Sequence, residues 1–168
     1  CGVAAAAAGA AWVAVAGCGG PPSAAGGKPG ELPPMELGNP GPGLYREVVP
    51  MPDGSALRYA VAVPDGFTPK KPAPLVLLLH YDYDGPAPPP HEGAELAEAF
   101  APGLAGLGAV VVAPDARGGD WTAAANETAA VWLVRSAQKT FKTDPKRVAV
   151  VGLALGGRGA WDLSARRP

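Results

Sequence analysis

The sequence predicts an α/β fold in which a mainly parallel sheet is covered by helices on both faces. Three apolar runs without polar alternation support this prediction: residues 75–79 (LVLLL), 109–113 (AVVVA) and 148–151 (VAVV). Strands that are buried on both faces have such continuous apolar runs. Helical patterns separate the three runs along the chain, and this alternation favours parallel βαβ units.

A β-hairpin is predicted before the first of these strands. Residues 45–49 and 56–63 alternate or run apolar, and the segment between them, PMPDGS, is rich in turn-forming residues. A helix is predicted over residues 92–107, with a kink at Pro102 and with one apolar face made of Leu96, Phe100, Leu104 and Leu107. A second is predicted over residues 122–141 through Ala130, Val131, Val134 and Ala137, and a last one from about Leu155 to the chain end.

The start of the chain predicts a leader rather than part of the fold. Residues 1–17 carry no charge and are rich in alanine, and they end in Val15-Ala16-Gly17-Cys18. The run is too short for a membrane helix of about 20 strongly apolar residues. It fits the apolar part of a signal peptide whose basic start would precede Cys1. The four residues before and at Cys18 resemble the bacterial lipobox, which implies lipidation of Cys18. An ordinary signal peptide with a chance cysteine remains the alternative.

Residues 19–43 predict a disordered tether. They contain 8 Gly and 7 Pro and show no apolar periodicity. We therefore divide the chain into a leader (1–18), a linker (19–43) and a folded part (44–168). A lipid anchor followed by a tether indicates a lipoprotein of the cell envelope, or a secreted protein if Cys18 is not modified.

Composition excludes several classes of function. The net charge of −1 gives no basic face for nucleic acid. The two cysteines, Cys1 and Cys18, lie in the leader, where a disulfide would constrain only that segment. The folded part therefore has no cysteine framework for a metal.

The most informative motif follows the strand at residues 148–151. This strand runs into Gly152-Leu153-Ala154-Leu155-Gly156, and a helix follows. Gly-x-Ser-x-Gly between a strand and a helix is the nucleophile elbow, whose glycines let the turn and the helix pass without clashing. Gly152, Gly156 and Gly157 supply that scaffold here. Ala154 occupies the nucleophile position, so the hydroxyl is absent.

Together with residues 75–81, 113–115 (APD) and 120–122 (DWT), residues 148–168 resemble the α/β-hydrolase superfamily. The resemblance is to its polyhydroxybutyrate-depolymerase, carboxylesterase and dienelactone-hydrolase-like esterases, and it covers residues 45–168. It implies the N-terminal part of an α/β-hydrolase fold and hydrolysis of a small carboxylic ester through an acyl-serine intermediate. It implies no metal and no organic cofactor.

The resemblance also implies roles for particular residues. The backbone amides of Tyr81 and Leu155 correspond to the oxyanion hole, and His80 shapes the oxyanion loop rather than transferring a proton. The family's triad follows the order Ser, then Asp or Glu, then His. Only residues 155–168 follow Ala154, and they contain Asp162 but no histidine. The resemblance thus implies that the acid, the histidine and roughly the last third of the domain are missing.

Other interpretations of these residues remain open at this stage. A polar cluster could hold a divalent metal: His80, Asp82, Asp84, His91 and Glu92. We expect a solvated loop there instead, because Asp82-Tyr83-Asp84-Gly85 matches only part of a calcium loop. The run 152–157 also resembles a dinucleotide-binding turn, but that motif needs an acidic residue roughly 20 residues further on, and the given sequence ends before that position. Trp132 is expected in the core, whereas Trp121 could equally be a substrate platform.

Three functional hypotheses follow. The chain is part of an esterase-family lipoprotein, or a pseudoenzyme that binds an acyl ligand without chemistry, or a nonfunctional truncated product.

Overall fold

The computed structural model of the protein describes residues 34–35, 37, 40–81, 92–118 and 120–167. β1 (Gly43–Pro50) and β2 (Ala56–Val63) form the predicted hairpin. Asp53 closes its turn by accepting hydrogen bonds from the amide and the hydroxyl of Ser55, at 3.0 and 2.5 Å. Three shorter strands follow, β3 (Leu75–Leu79), β4 (Val110–Pro114) and β5 (Val148–Gly152).

Three helices alternate with the later strands. They are α1 (Glu92–Leu104), α2 (Ala124–Phe141) and α3 (Leu155–Arg166). α1 passes through Pro102 and gives way to a short 3-10 turn over Ala105–Leu107, which ends at Gly108 with a left-handed φ of 59°. α2 is followed by Lys142, which also takes a left-handed conformation (φ 51°). The predicted order of strands and helices is confirmed.

The described strands form one sheet in the order β1-β2-β4-β3-β5. β1 pairs with β2 and β2 with β4 in antiparallel fashion, while β3 pairs in parallel with both β4 and β5. The three apolar runs pair in parallel, as predicted, and the predicted hairpin makes the sheet as a whole mixed. The hairpin strand β2 joins the parallel strands directly, and a sequence pattern does not specify that contact.

Helices cover both faces of the sheet, as predicted. The side chains of β3 alternate between two apolar layers, with Leu75, Leu77 and Leu79 on one face and Val76 and Leu78 on the other. The first layer packs against α2 and α3, and the second packs against α1. This double burial explains why β3 is apolar at every position.

The buried face of α1 differs from the predicted one. Leu96 is buried and Leu104 is partly buried, but Phe100 and Leu107 are exposed. Leu107 lies in the 3-10 turn, where helical spacing no longer holds. Small residues make the contact instead, because α1 lies close to the sheet. A side chain on Gly93 would lie 2.8 Å from the carbonyl oxygen of Pro114.

Packing extends into the segment expected to be a tether. Met35 is buried and Leu37 is partly buried against the layer that faces α2 and α3. The packed part of the chain thus includes Met35. The leader, Cys18 and residues 19–33 of the linker lie outside the described residues. In the part of the chain that is described, no helix is long and apolar enough to span a bilayer.

Candidate active site

The junction between β5 and α3 has the backbone of a nucleophile elbow. Ala154 lies between the end of β5 and the first residue of α3, with φ 49° and ψ −113°. A positive φ is uncommon outside glycine and costs on the order of 1–3 kcal/mol. Ala154 is exposed at the top of this turn. The surrounding structure therefore holds a strained conformation at a position that presents only a methyl group.

The glycines beside Ala154 are required by close backbone contacts. A Cβ built on Gly152 would overlap the carbonyl of Gly156. A Cβ on Gly156 would overlap the carbonyl oxygen of Leu79 and would lie 2.6 Å from that of His80. At Gly157 the nearest atom would be the Gly152 oxygen at 3.3 Å, a tight contact but not an overlap. The elbow thus presses directly against the end of β3.

Strand register places Tyr81 beside the elbow. β3 and β5 pair in parallel, and their last pair is Leu79 with Gly152. Tyr81 and Ala154 each follow that pair by two residues. The amide of Leu153 donates to the carbonyl oxygen of Leu79 at 3.3 Å, which keeps the two chains together beyond the strands. Leu155, whose amide is the other oxyanion donor predicted from the sequence, is the first residue of α3.

His80 is buried and fully engaged at the end of β3. Its Nε2 accepts a hydrogen bond from the Ala116 amide at 2.9 Å, so the ring proton lies on Nδ1. Nδ1 donates to the carbonyl oxygen of Tyr81 at 2.6 Å and lies 3.1 Å from Oε2 of Glu92. These contacts connect the end of β3 to α1 and to the loop after β4. Both ring nitrogens have partners, which leaves neither for proton transfer in this arrangement.

Trp121 is not an exposed platform. It is 4 % exposed, and its Nε1 donates to the carbonyl oxygen of His80 at 2.9 Å. Its ring meets the His80 ring edge-on at a centroid distance of 5.0 Å. Trp132 lies in the core, as expected, with its ring edge-on to that of Tyr59.

The chain matches no protein-family model and no curated protein. Solved structures do match it. A thermostable esterase superposes with a TM-score of 0.60 at 19 % identity, over 74 % of this chain and 38 % of that one. LpqC, a poly(3-hydroxybutyrate) depolymerase from Bordetella parapertussis, gives 0.59 at 16 % identity, over 76 % and 48 %. A hyperthermophilic esterase from the archaeon Pyrobaculum calidifontis gives 0.55 at 26 % identity, over 77 % and 40 %.

The chain has the α/β-hydrolase fold. It spans less than half the length of each of these three neighbours. Their likeness establishes the fold.

Two residues that support the loop after β4 were not singled out from the sequence for this role. Asp115, after β4, accepts a hydrogen bond from the Gly93 amide at 2.9 Å and so caps the start of α1. Asn126 is buried in α2, accepts from the Arg117 amide at 2.7 Å and donates to the Asp120 carbonyl at 3.0 Å. Together they fix the loop that carries Trp121. Asp115 acts on α1, 22 residues before it, and Asn126 acts on the loop 6 to 9 residues before it, and neither spacing is a recognised sequence pattern.

An ion pair joins the hairpin turn to the same loop. The Arg117 guanidinium contacts the Asp53 carboxylate and the Ser55 hydroxyl. The hydrogen bond from Ser55 and then that from Arg117 hold the pKa of Asp53 well below its usual range. The Thr122 amide, with help from Arg158, likewise lowers the pKa of Asp120. Both carboxylates therefore stay charged and support the loop after β4.

Asp162 is placed for structure rather than for catalysis. Its carboxylate pairs with Arg166 one helical turn on, at 2.7 Å, and Arg166 also reaches Glu127 of α2 at 2.8 Å. These pairs attach α3 to α2.

The polar cluster that could hold a metal lies only partly within the described residues. Among the described residues, no three His, Cys, Asp or Glu side chains are grouped to hold a metal ion. Asp82, Asp84 and His91 lie outside the described residues.

Proposed function

We propose that the chain is the N-terminal part of a carboxylic ester hydrolase and that it does not itself hydrolyse esters. The observation that carries this proposal is the backbone of Ala154, which has the elbow conformation at a strand–helix junction without a serine. The esterases among the structural neighbours support a small ester as the substrate class.

The proposed reaction of the complete protein is acyl transfer. A serine hydroxyl attacks the ester carbonyl while a histidine takes its proton, and the alcohol leaves with that proton. Water then hydrolyses the acyl-serine. The amides of Tyr81 and Leu155 would stabilise the negative charge on the carbonyl oxygen, which is usually the largest single contribution to such catalysis. The proposed reaction involves no metal or organic cofactor.

In this chain Ala154 replaces the nucleophile, and His80 is not placed to act as the base. Ala154 has no hydroxyl, and Ser164 lies ten residues further on, nearly three helical turns away. His80 uses both ring nitrogens for structural contacts. Loss of the serine alone from a triad enzyme lowers kcat by about 10⁶-fold. We therefore expect no measurable turnover.

Hydrolysis of p-nitrophenyl butyrate by three proteins tests the proposal. They are the chain as given, its Ala154→Ser variant, and an Ala154→Ser chain continued in frame beyond Pro168 with a later acid and histidine. We expect activity only in the third, because the second still has no histidine after the nucleophile. Turnover by the unmodified chain would contradict the proposal, and so would a folded but inactive third protein.

A second candidate is a pseudoenzyme that binds an acyl ligand. The exposed, strained elbow favours it, because that conformation persists without the hydroxyl it would serve. The coding DNA separates the candidates. A continuation with a late acid and histidine but alanine at codon 154 supports binding. A serine codon there supports the esterase, and an immediate stop supports a nonfunctional truncated product.

For localisation we propose a lipid anchor at Cys18. The motivation is the apolar leader that ends at this cysteine and the Gly- and Pro-rich segment after it. With a basic start restored, Cys18→Ser should release the protein from membranes or block its processing. If the serine variant still fractionates with membranes as the parent does, the anchor is wrong.

A further inference from the structure

The peptide bond between His80 and Tyr81 is held by a single buried side chain. Trp121 Nε1 donates a hydrogen bond to the carbonyl oxygen of His80 at 2.9 Å, and both residues are buried. The amide hydrogen of the same peptide bond belongs to Tyr81, which is assigned as an oxyanion donor. The indole and the proposed oxyanion therefore act on opposite sides of one peptide group.

Peptide geometry couples these two sides. A peptide bond is planar, and in the trans form its C=O and N–H point in opposite directions. The described residues contain no cis peptide bond. A fixed direction for the His80 carbonyl therefore also fixes the direction of the Tyr81 N–H.

We propose that Trp121 is a positioning residue of the oxyanion hole, which orients the Tyr81 amide through the carbonyl of His80. This inference rests on the proposed function, because it needs the Tyr81 amide to be an oxyanion donor.

The indole has little freedom to move aside. Gly159 of α3 lies against it, and a Cβ on Gly159 would overlap the Cβ of Trp121 and lie 2.9 Å from its Cγ. The His80 ring closes a second side, edge-on at 70°. Trp121 is thus packed between α3 and the end of β3. A displacement of either one would therefore displace the indole and, through it, the other.

The next peptide group is held as well. Nδ1 of His80 donates to the carbonyl oxygen of Tyr81 at 2.6 Å, while Nε2 accepts from Ala116. The carbonyls on both sides of the Tyr81 backbone therefore have fixed partners. Removal of the indole N–H would free the first of them and leave the second in place.

Trp132→Phe is a matched control, because it measures the effect of losing a buried indole elsewhere in the same apolar layer. It belongs to the same apolar layer as Trp121 and is similarly buried. Its ring lies edge-on to Tyr59, at a centroid distance of 5.8 Å, and it belongs to α2 rather than to the loop beside His80.

The first measurement follows the peptide group itself in the chain as given. His80-Tyr81 is the only His-Tyr pair in the sequence, so carbonyl-¹³C histidine and ¹⁵N tyrosine together give one correlated signal. Magic-angle-spinning NMR detects it whatever the oligomeric state. We expect Trp121→Phe to shift this signal and Trp132→Phe to leave it in place. An unmoved signal in Trp121→Phe, or an equal shift in both variants, would overturn the proposal.

A second variant keeps the test valid if Trp121→Phe does not fold. Replacement of Trp121 by 3-benzothienylalanine preserves the ring shape and substitutes sulfur for the N–H group. We expect the same displacement of the signal, and an unchanged signal would again overturn the proposal.

The second measurement tests the consequence for catalysis in the extended Ala154→Ser protein. Loss of an oxyanion donor costs about 10²–10³ in kcat, and a donor that is misdirected rather than lost should cost at least about tenfold. We expect that loss in Trp121→Phe, with KM changed by less than about twofold, and less than about twofold in kcat for Trp132→Phe. Equal kcat values for the two variants would refute the positioning role.

The two proposals fail in different ways. If the extended parent with Trp121 intact does not hydrolyse the ester, the proposed function is wrong, and the NMR signal alone decides whether Trp121 orients the peptide. If the parent is active and Trp121→Phe is equally active, only the positioning role is wrong.

Discussion

β3 and β5 are both five-residue strands, both nearly all apolar, and they pair with each other along their full length. Every residue of β3 is buried, whereas no residue of β5 is fully buried. Val148 and Val151 of β5 are 36 % and 39 % exposed. The difference follows from position. β3 has strands on both sides and helices on both faces, whereas β5 has β3 as its only neighbour among the described strands.

The comparison shows that an apolar run predicts that a strand can be buried on both faces. It does not predict whether neighbouring strands and helices bury it. Within the part of the chain that is described, β5 presents unpaired backbone groups and apolar side chains along one edge, which is a template for further pairing. The exposed Leu153 lies directly after it. The elbow therefore belongs to a weakly covered edge that is attached to a well-packed body, and the following predictions test that contrast.

The largest expected loss of stability is at the contact between Gly156, in the first turn of α3, and the end of β3. In Gly156→Ala the new Cβ would overlap the carbonyl oxygen of Leu79 at the end of β3. We expect a loss of about 3 kcal/mol or more in the free energy of unfolding, because backbone atoms cannot yield as a flexible side chain does. Urea unfolding measures it.

Gly103→Ala is the matched control for that substitution. Gly103 lies in α1 with no atom near the position of a new Cβ. Replacement should stabilise the protein by about 0.4–1 kcal/mol. Similar effects at Gly103 and Gly156 would mean that the elbow does not press against β3.

Replacement of a valine by alanine should lower the free energy of unfolding more in β3 than in β5. Val76→Ala in buried β3 removes two methyl groups and leaves a cavity, so we expect a loss of about 2 kcal/mol. Val151→Ala in β5 should cost less than about 0.5 kcal/mol, because the side chain is already partly in water. Urea midpoints of the two variants provide the comparison. Equal losses would show that β5 is covered in solution.

The open edge should make the chain self-associate. Residues 44–168 alone should aggregate or need a partner, because they keep this edge and also lack Met35 of the core. Val151→Lys places a charge on the edge and should reduce association, as measured by sedimentation velocity. Val48→Lys on β1, the other edge strand, should have less effect, because Arg46 and Glu47 already carry charge there. A monodisperse parent with a cooperative melt would contradict this prediction.

The smallest expected effect is on the stability of the protein at acid pH, and it arises at Asp53 in the hairpin turn. The pKa of Asp53 is lowered in the folded state, by Ser55 first and by Arg117 second. Its contribution to stability is therefore present above the unfolded pKa of about 3.9 and is lost as the pH falls below it. Asp53→Asn should flatten the dependence of the urea midpoint on pH below about pH 5.

Ser55→Ala is the companion variant for the acid experiment. It keeps the ion pair with Arg117 but removes the Ser55 hydroxyl, the largest cause of the lowered pKa of Asp53. Because the unfolded pKa sets where the loss begins, stability should begin to fall at the same pH as in the parent, but the fall should be smaller and should end at a higher pH. If the urea midpoints of the parent and of Asp53→Asn depend on pH in the same way, the Asp53–Arg117 ion pair does not contribute to stability.

The order of strands and helices could be predicted from the sequence because each element leaves a local pattern. The elbow was also visible, because backbone contact at Gly152 and Gly156 permits only glycine there. The face of α1 was predicted wrongly, since small alanines rather than the larger Phe100 meet the sheet. Periodicity ranks large apolar residues first, whereas a close helix–sheet contact selects small ones.

The supports of the site were beyond sequence reasoning for a different reason. Arg117 reaches Asp53 across 64 residues, and Trp121 reaches His80 across 41. Such contacts have no spacing that a single sequence reveals. Trp121 could therefore be read equally as a platform or as core until its partner was known.

The strained backbone at Ala154 has a consequence for how this protein could change over time. The demanding features of an elbow are its backbone conformation and its flanking glycines, and the chain already has both. Alanine and serine differ by one oxygen atom, and their GCN and TCN codons differ by a single base. At this position, the loss or recovery of a nucleophile needs only a point mutation and no rearrangement of the fold.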